Sequence, residues 1–548
     1  MSDFVRVAAV SDLADGEMRQ VSAGGTDVLL SRVDGRFHAC TAFCTHYGAP
    51  LATGVLSGTT VVCPWHHAVF DVATGALDEP PALDALRTFE VKTDGDDVLV
   101  RVPDDADAHG KGVPYRVSDG EAPDMVGVAP AVDDRLFLVL GAGAAAQAAA
   151  ETLRAEGYRG RLALVTKERR SPYDRTKLSK AYLAGDAGDD ALRLRDGHFY
   201  ESHGIEVWTD RTVTGLDPDA RTVTFEEGDP VTYDACLVAT GGSPRRLPID
   251  GADLDGVFLL RSWDDARRIV QRAGDAERVV VIGASFIGME SASSLSSRGV
   301  EVTVVGKEDA PFASAMGEEV GRVFQRAAEA KGVSFRLGAE VDHVETAHAE
   351  PGSGGRPALR VVVGGEGIEC DAVVMGVGVS PATEFLDGAD FRRDDGGLVT
   401  DAALRVAPAL FAAGDVAAFP DPRLGETVRI EHWRLAQQHG RTAALNMMRV
   451  SDPTLDDVPF TSVPFFWTGQ FGLSLRYVGH AEDWDEVVVD GSLEAAEFLA
   501  GYVQGGAVRA VAAVGRDQDA AAFHLLMAQG RTPTPDDLRG GADLRARL

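Results

Sequence analysis

Two stretches of this chain repeat one pattern. "RLFLVLGAGAAAQAAAETLRAEG" with the following "RLALVTKE", and "ERVVVIGASFIGMESASSLSSRGVEVTVVGKED", each read as strand, glycine turn, helix and second strand. That order suits a dinucleotide: glycine lets the turn close, and the helix N-terminus faces the pyrophosphate. In the first unit Gly141 and Gly143 hold the first two glycine positions, and Ala146 replaces the third, a change the pattern tolerates. Glu168 ends the next strand, placed to accept ribose hydroxyls. In the second unit Gly283 and Gly288 hold the outer positions, and Ser285 replaces the middle glycine that normally admits the pyrophosphate closely. Two such units imply a flavoprotein with two dinucleotide sites, the first for FAD and the second for NAD(P)H. Coenzyme choice turns on the end of the second strand, where Gly306 stands in the usual acid position and Lys307 and Glu308 follow. Lys307 suits a 2′-phosphate and Glu308 suits ribose hydroxyls. NADH is the expectation, since no arginine pair lies nearby; NADPH is the alternative.

Ahead of these units, residues 1–105 read as short alternating strands broken by Gly and Asp turns, a small β domain. It holds Cys44-x-His46 and Cys63-x-x-His66, with sixteen residues between the pairs. That spacing suits two loops converging on one metal site. A Cys2His2 set can hold zinc, although a zinc finger usually carries both histidines on a helix after the cysteine pair. The mixed order resembles the Rieske [2Fe–2S] motif, in which one iron takes two thiolates and the other two imidazoles. The resemblance implies Cys44 and Cys63 on one iron and His46 and His66 on the other, with Gly48 and Pro64 in the tight loops. Cys40 and His67 lie just outside the pattern and read as packing or loop residues. High-potential Rieske proteins carry an extra cysteine beside each ligand pair; here Ala49 and Ala68 stand there, and the second loop lacks a serine. The resemblance therefore implies a potential toward the low end of the Rieske range, roughly −150 mV.

The chain has 548 residues and a formal charge of −32, which disfavours nucleic acid and anionic lipid as partners. No stretch approaches about 18 consecutive apolar residues, so no membrane insertion is expected. "MSDFVRVAAVSDLADGE" does not read as a signal peptide. Five cysteines, Cys40, Cys44, Cys63, Cys236 and Cys370, form no disulfide framework, and a cytoplasmic location is expected.

Beyond the first glycine turn, "ERRSPYDRTKLSKAYL" and "YDACLVATGGSPRRLP" resemble segments of the apoptosis-inducing-factor-like and dioxygenase-ferredoxin reductases. The resemblance implies Arg175 on the FAD, Lys180 beside the flavin ring, and Thr240 and Gly241 by the cofactor. It also pairs Glu290 with Lys180. Cys236 sits in an apolar strand without a partner cysteine, which removes support for a thiol–disulfide mechanism. "DAVVMGVGVSPATEFL", "ALFAAGDVAAFPD" and "RIEHWRLAQQHGRTAALNM" continue the likeness; they imply Gly414 and Asp415 at the ribityl chain and Trp433 beside the flavin. Lys180, Glu290 and Trp433 are the candidate catalytic residues. The aromatic, strand-rich stretch after about 458 is similar to the family's small C-terminal α/β domain.

The expected architecture is multidomain: an all-β Rieske domain (1–105), a linker (106–130), a discontinuous FAD domain (131–250 and 373–450), an NAD(P) domain (251–372), a C-terminal α/β domain (451–530) and a loose tail (531–548). The two dinucleotide domains are Rossmann-like, of the glutathione reductase type. The chain resembles those family members that carry their own Rieske domain. The implied activity is an NAD(P)H-dependent FAD oxidoreductase passing electrons through its own cluster to an outside acceptor, such as an oxygenase, ferredoxin or cytochrome. A regulatory or scaffold flavoprotein, or reverse electron flow to NAD(P)+, are the alternatives. The chain is expected to be a monomer or homodimer.

Overall fold

A computed structural model describes residues 3–103, 125–129, 131–347, 358–450 and 454–548. Most of the expected linker at 106–130 lies outside the described residues. The N-terminal domain is all-β. A six-stranded antiparallel sheet runs in the order Val5–Ala9, Asp97–Arg101, Thr88–Asp94, Arg36–Thr41, Thr26–Val33, Met18–Ala23. Four short antiparallel strands, Val55–Ser57, Thr60–Val62, Val69–Asp71 and Leu77–Glu79, form a second sheet beside it.

The first α/β unit is a six-stranded sheet in the order Ile205–Trp208, Arg161–Val165, Leu136–Leu140, Ala235–Val238, Leu410–Ala412, Arg405–Ala407. Its first five strands are parallel. Every residue of Leu136–Leu140 and Ala235–Val238 is buried, because a parallel sheet covered on both faces has no wet side and so reads as an unbroken apolar run. Helix α1 (Ala144–Ala155) follows the first glycine turn. The second unit is a five-stranded parallel sheet, Val257–Leu259, Ala372–Met375, Arg278–Ile282, Glu301–Val305, Ser334–Arg336, with helix α2 (Phe286–Ser297) after its glycine turn. The expected boundary at 372–373 therefore falls inside a strand. Ala372–Met375 pairs on both sides within the second sheet, and the chain returns to the first unit after it. Helix α3 (Trp433–Arg449) lies against α1. Their closeness rests on Gly440, where any Cβ would stand 2.1 Å from the Ala145 carbonyl oxygen.

The C-terminal domain is a five-stranded antiparallel sheet, Phe465–Gln470, Leu473–Gly479, Ala507–Val514, Glu497–Gln504, Glu486–Ser492, followed by helix α4 (Asp517–Ala528). Residues Ala520–Met527 of α4 are all buried. A helix apolar all round must have partners on both sides. One side meets its own sheet through Phe523 and Leu526; the other meets Val55, Val62 and Val69 of the N-terminal domain through Ala521 and Leu525. Residues 531–548 are not a loose tail. Thr534 caps a short helix, Pro535–Arg539, and Leu538 and Leu544 are buried against the C-terminal sheet. Ion pairs from Arg539 to Glu486 and from Arg547 to Asp537 add to these contacts in a segment whose composition is largely polar.

Polar contacts complete the seat of the N-terminal domain. Arg434 of α3, fully buried, donates from Nε to the Pro80 carbonyl at 2.6 Å. Arg441 donates to the Asp78 carbonyl at 2.7 Å, and Gln438 reaches Glu79. Arg195 joins Asp84 of the β domain, at 2.9 Å, to Glu151 of α1, at 2.8 Å. The Arg195 and Asp84 side chains are each 4% exposed. Removing one member of such a group leaves uncompensated buried charge, at a cost of about 3–5 kcal/mol. Arg195→Met is expected to lower the unfolding temperature of the full chain and to speed proteolytic release of the N-terminal domain; unchanged melting and proteolysis would show that Arg195 does not hold the domains together.

Candidate functional site

The two Cys–His loops share one backbone frame. In the first, the Cys44 N–H donates to the Ala49 carbonyl and the Gly48 N–H to the Cys44 carbonyl. In the second, the Cys63 N–H donates to the Ala68 carbonyl and the His67 N–H to the Cys63 carbonyl. Gly48 (φ +68°) and His67 (φ +54°) thus occupy matching left-handed positions. The frames bring His46 Nδ1 and His66 Nδ1 to 3.0 Å from each other. Burial pushes His46 down to about 4 and His66 well below its usual value, so both imidazoles are neutral, the form that ligates metal. Cys44 and Cys63 are both buried. Burial raises the Cys44 thiol; it also acts to raise Cys63, but interaction with Cys44 and with the Trp65 and His66 backbone outweighs it and lowers that thiol. Two buried thiols and two neutral imidazoles, supplied as one of each by two matching loops, fit a two-iron cluster. Cys40 is a fully buried core residue of its strand, and His67 packs on Phe465, with ring centroids 4.0 Å apart.

The second element is a cleft of about 1200 Å³ between the two α/β units and the C-terminal domain. Gly141, Gly143, Glu168, Arg175, Lys180, Thr240, Gly241, Ser285, Glu290, Gly414, Asp415 and Trp433 all line it. Gly141 (φ +134°) runs so close to the neighbouring strand that a Cβ would lie 2.1 Å from the Ala239 carbonyl oxygen. Ala146 is fully buried beneath the turn. The Glu168 carboxylate accepts from Arg175 and from the Tyr173 hydroxyl, each at 2.6 Å. Burial opposes its charge, yet Arg175 and Tyr173 prevail and hold it below the usual carboxylate range. Arg261 joins this rim and pairs with Asp415 at 3.0 Å. The Thr240 hydroxyl donates to the Ala382 carbonyl, and the Gly414 N–H donates to His439 Nδ1. A glycine turn, a helix start and an ionised acid at the strand end fit the pyrophosphate and ribose of FAD.

On the nicotinamide side, Gly283 and Gly288 make the second tight turn; a Cβ on Gly288 would stand 1.9 Å from the Gly283 carbonyl oxygen. Ser285 caps α2. Its hydroxyl accepts from the Gly288 N–H at 3.3 Å and donates to the Gly376 carbonyl at 2.6 Å. Lys307 and Glu308 stand past the end of the second strand and do not line the cleft; the Ser314 N–H reaches the Glu308 carboxylate at 3.3 Å. Lys180 lies in a π-turn, Leu178–Tyr182, and pairs with Glu290 at 2.8 Å, as expected from the sequence. Glu290 is 2% exposed and accepts hydrogen bonds from Ser179 and, at 2.7 Å, from Thr468.

Sequence reasoning missed the residues that join the two elements. Trp467 lines the cleft, and its ring lies 4.6 Å from His66 and 6.2 Å from His46. Tyr47 stacks on His46 at 3.8 Å, and its hydroxyl donates to Asp174, the neighbour of Arg175. Trp433 also lines the cleft, but the indole against the histidines is Trp467. The aromatic run "PFFWTGQF" was the available signal, and it gave strand character without a position.

These features define a flavin- and pyridine-nucleotide-dependent reductase with a Rieske domain seated at the mouth of its cleft. The sequence matches the Rieske [2Fe-2S] domain over residues 3–90, the pyridine nucleotide-disulphide oxidoreductases over 136–440 and the reductase C-terminal domain over 465–548. It is 37% identical to apoptosis-inducing factor 3 of Homo sapiens over 531 residues, 96% of this chain and 84% of that protein. Among solved structures, a ferredoxin reductase from Rhodopseudomonas palustris is 31% identical with a TM-score of 0.69, covering 76% of this chain and 100% of its own. The covalent putidaredoxin reductase–putidaredoxin complex is 28% identical with a TM-score of 0.69, covering 75% of this chain and 97% of its own. The chain belongs to the pyridine nucleotide-disulphide oxidoreductase family, in its ferredoxin-reductase branch with a fused Rieske domain. It is a FAD-dependent NAD(P)H oxidoreductase that transfers electrons to a redox partner. The purified protein is expected to carry FAD and about two irons per chain with a Rieske-type EPR signal. Gly141→Ala should lose the flavin absorbance while keeping the iron, and full flavin content in that variant would refute the cradle.

Proposed function

We propose that the first redox partner of this reductase is its own Rieske domain, which then serves an outside acceptor. The observation that carries this is Trp467, which borders the dinucleotide cleft and touches both candidate ligand histidines. Bound FAD supplies the exchange between the paired electrons of a nicotinamide and the single electrons a [2Fe–2S] centre accepts. Cys44, His46, Cys63 and His66 would hold the cluster; Gly141, Glu168, Arg175, Gly414 and Asp415 would hold the flavin. Lys180 presents a cation to the cleft, where it favours negative charge on the cofactor, and Glu290 keeps its Nζ in place. Trp433, Phe466 and Trp467 line the cleft with apolar surface. The outside acceptor is a small redox protein of the ferredoxin kind, by analogy with the reductase–putidaredoxin complex. Among the described residues no helix is long and apolar enough to cross a membrane. All five cysteines are free and buried, which supports a reducing compartment such as the cytoplasm.

Rapid mixing with NADH should bleach the flavin first and the cluster afterwards. Trp467→Ala should slow the second phase and spare the first, and Cys44→Ser should abolish the second. A cluster that stays oxidised through many turnovers of the flavin would end this reading. For the coenzyme, the lack of an arginine pair just after the second strand supports NADH. NADH is therefore expected to give the higher kcat/KM, and the reverse order would assign Lys307 to a 2′-phosphate instead.

A further inference from the structure

Arg476 lies on Leu473–Gly479 of the C-terminal domain, directly opposite Trp467 on Phe465–Gln470. Residues opposite one another in an antiparallel pair share a face, and on this face the Trp467 ring meets His66. Arg476 is 6% exposed. Its carboxylate partner is Asp517, at the start of α4 and 3.4 Å away, and its Nε is buried without a hydrogen-bond partner. A guanidinium so placed needs negative charge nearby to offset its desolvation. Asp517 supplies it in part, acting to raise a guanidinium that burial lowers. The second ligand loop lies against the same face: His67 packs on Phe465, two residues before Trp467 in the strand.

We propose that Arg476, a residue of the reductase rather than of the Rieske domain, raises the reduction potential of the cluster that Cys44, His46, Cys63 and His66 hold. This rests on the Rieske reading of those ligands and goes beyond it. With the cluster bound, uptake of one electron would add one negative charge to it with no bond formed or broken; that electron would be one of the pair that NAD(P)H delivers by way of the flavin, the other following in a later transfer. A fixed cation in a dry interface stabilises that added charge, since local net charge and solvent exposure set iron–sulfur potentials. The cluster's affinity for an electron therefore depends on its being seated against the C-terminal domain. Arg476 acts as a tuning residue and takes no part in bond-making.

The test is an EPR-monitored redox titration of the full-length holoprotein. Arg476→Gln is expected to lower the reduced-to-oxidised ratio at a fixed solution potential roughly tenfold, a downward midpoint shift of about 59 mV for a one-electron couple. Arg476→Lys keeps the charge and should stay close to the unsubstituted midpoint. Asp517→Asn removes the competing carboxylate and should move the midpoint upward. A merely structural role would lower thermal stability and leave all midpoints alike, and that result overturns the proposal. If Arg476→Gln does not yield cluster-loaded protein, Asp517→Asn decides: an unchanged or lowered midpoint overturns it. Absence of a Rieske signal in the unsubstituted chain is a separate outcome, which overturns the cluster reading itself.

Discussion

The contact between the candidate cluster ligands and the rim of the cleft organises this molecule. His46 and His66 turn toward the reductase, and Trp467 fills the space between them and the dinucleotide cleft. Holding imidazoles against an apolar rim requires a dry interface, and a dry interface requires every charge in it to find a partner. The seat of the Rieske domain follows from that demand. Arg195 is placed between Asp84 and Glu151, and Arg434 is spent on the Pro80 carbonyl and Glu79. Apolar contact comes from α4, whose two faces serve two domains at once.

Glu290 has a similar joining role at the centre. It belongs to the second α/β unit, accepts from Ser179 and Lys180 of the first, and accepts from Thr468 of the C-terminal domain. Thr468 follows Trp467 in the chain. One carboxylate therefore links the lysine of the flavin cleft to the strand that carries the indole, and neither can shift without disturbing the other.

Much of this was legible in the sequence because its signals are local. A glycine that must approach a backbone, as at Gly141 or Gly288, is marked by the strand before it and the helix after it. The four candidate cluster ligands sit in two short loops with fixed spacing. The pairing of Lys180 with Glu290 came from family likeness and agrees with the structure. What stayed hidden depends on distant parts of the chain meeting. Trp467, Tyr47, Arg195 and Arg476 carry no local mark, since each owes its importance to a neighbour from another domain. The misplaced boundary at 372 has the same origin: the strand Ala372–Met375 joins a sheet whose other strands precede it by dozens of residues. The segment 531–548 looked unstructured because its few apolar residues are far apart, and their pocket is built by other strands.

The twin ligand loops differ at one matching position. Gly48 adopts its left-handed backbone at no steric cost, whereas His67 does so with a side chain, at a penalty of about 1 kcal/mol. That side chain is wedged between Phe465 and His524, both from the C-terminal domain. The first loop also reaches the reductase, through Tyr47 and Asp174, but its left-handed residue needs no brace, whereas that of the second has one. Separated from the reductase, the Rieske fold would lose a neighbour at both loops, and at the second it would lose the prop of a strained residue. The C-terminal domain is in this sense part of the mould in which the iron site is cast.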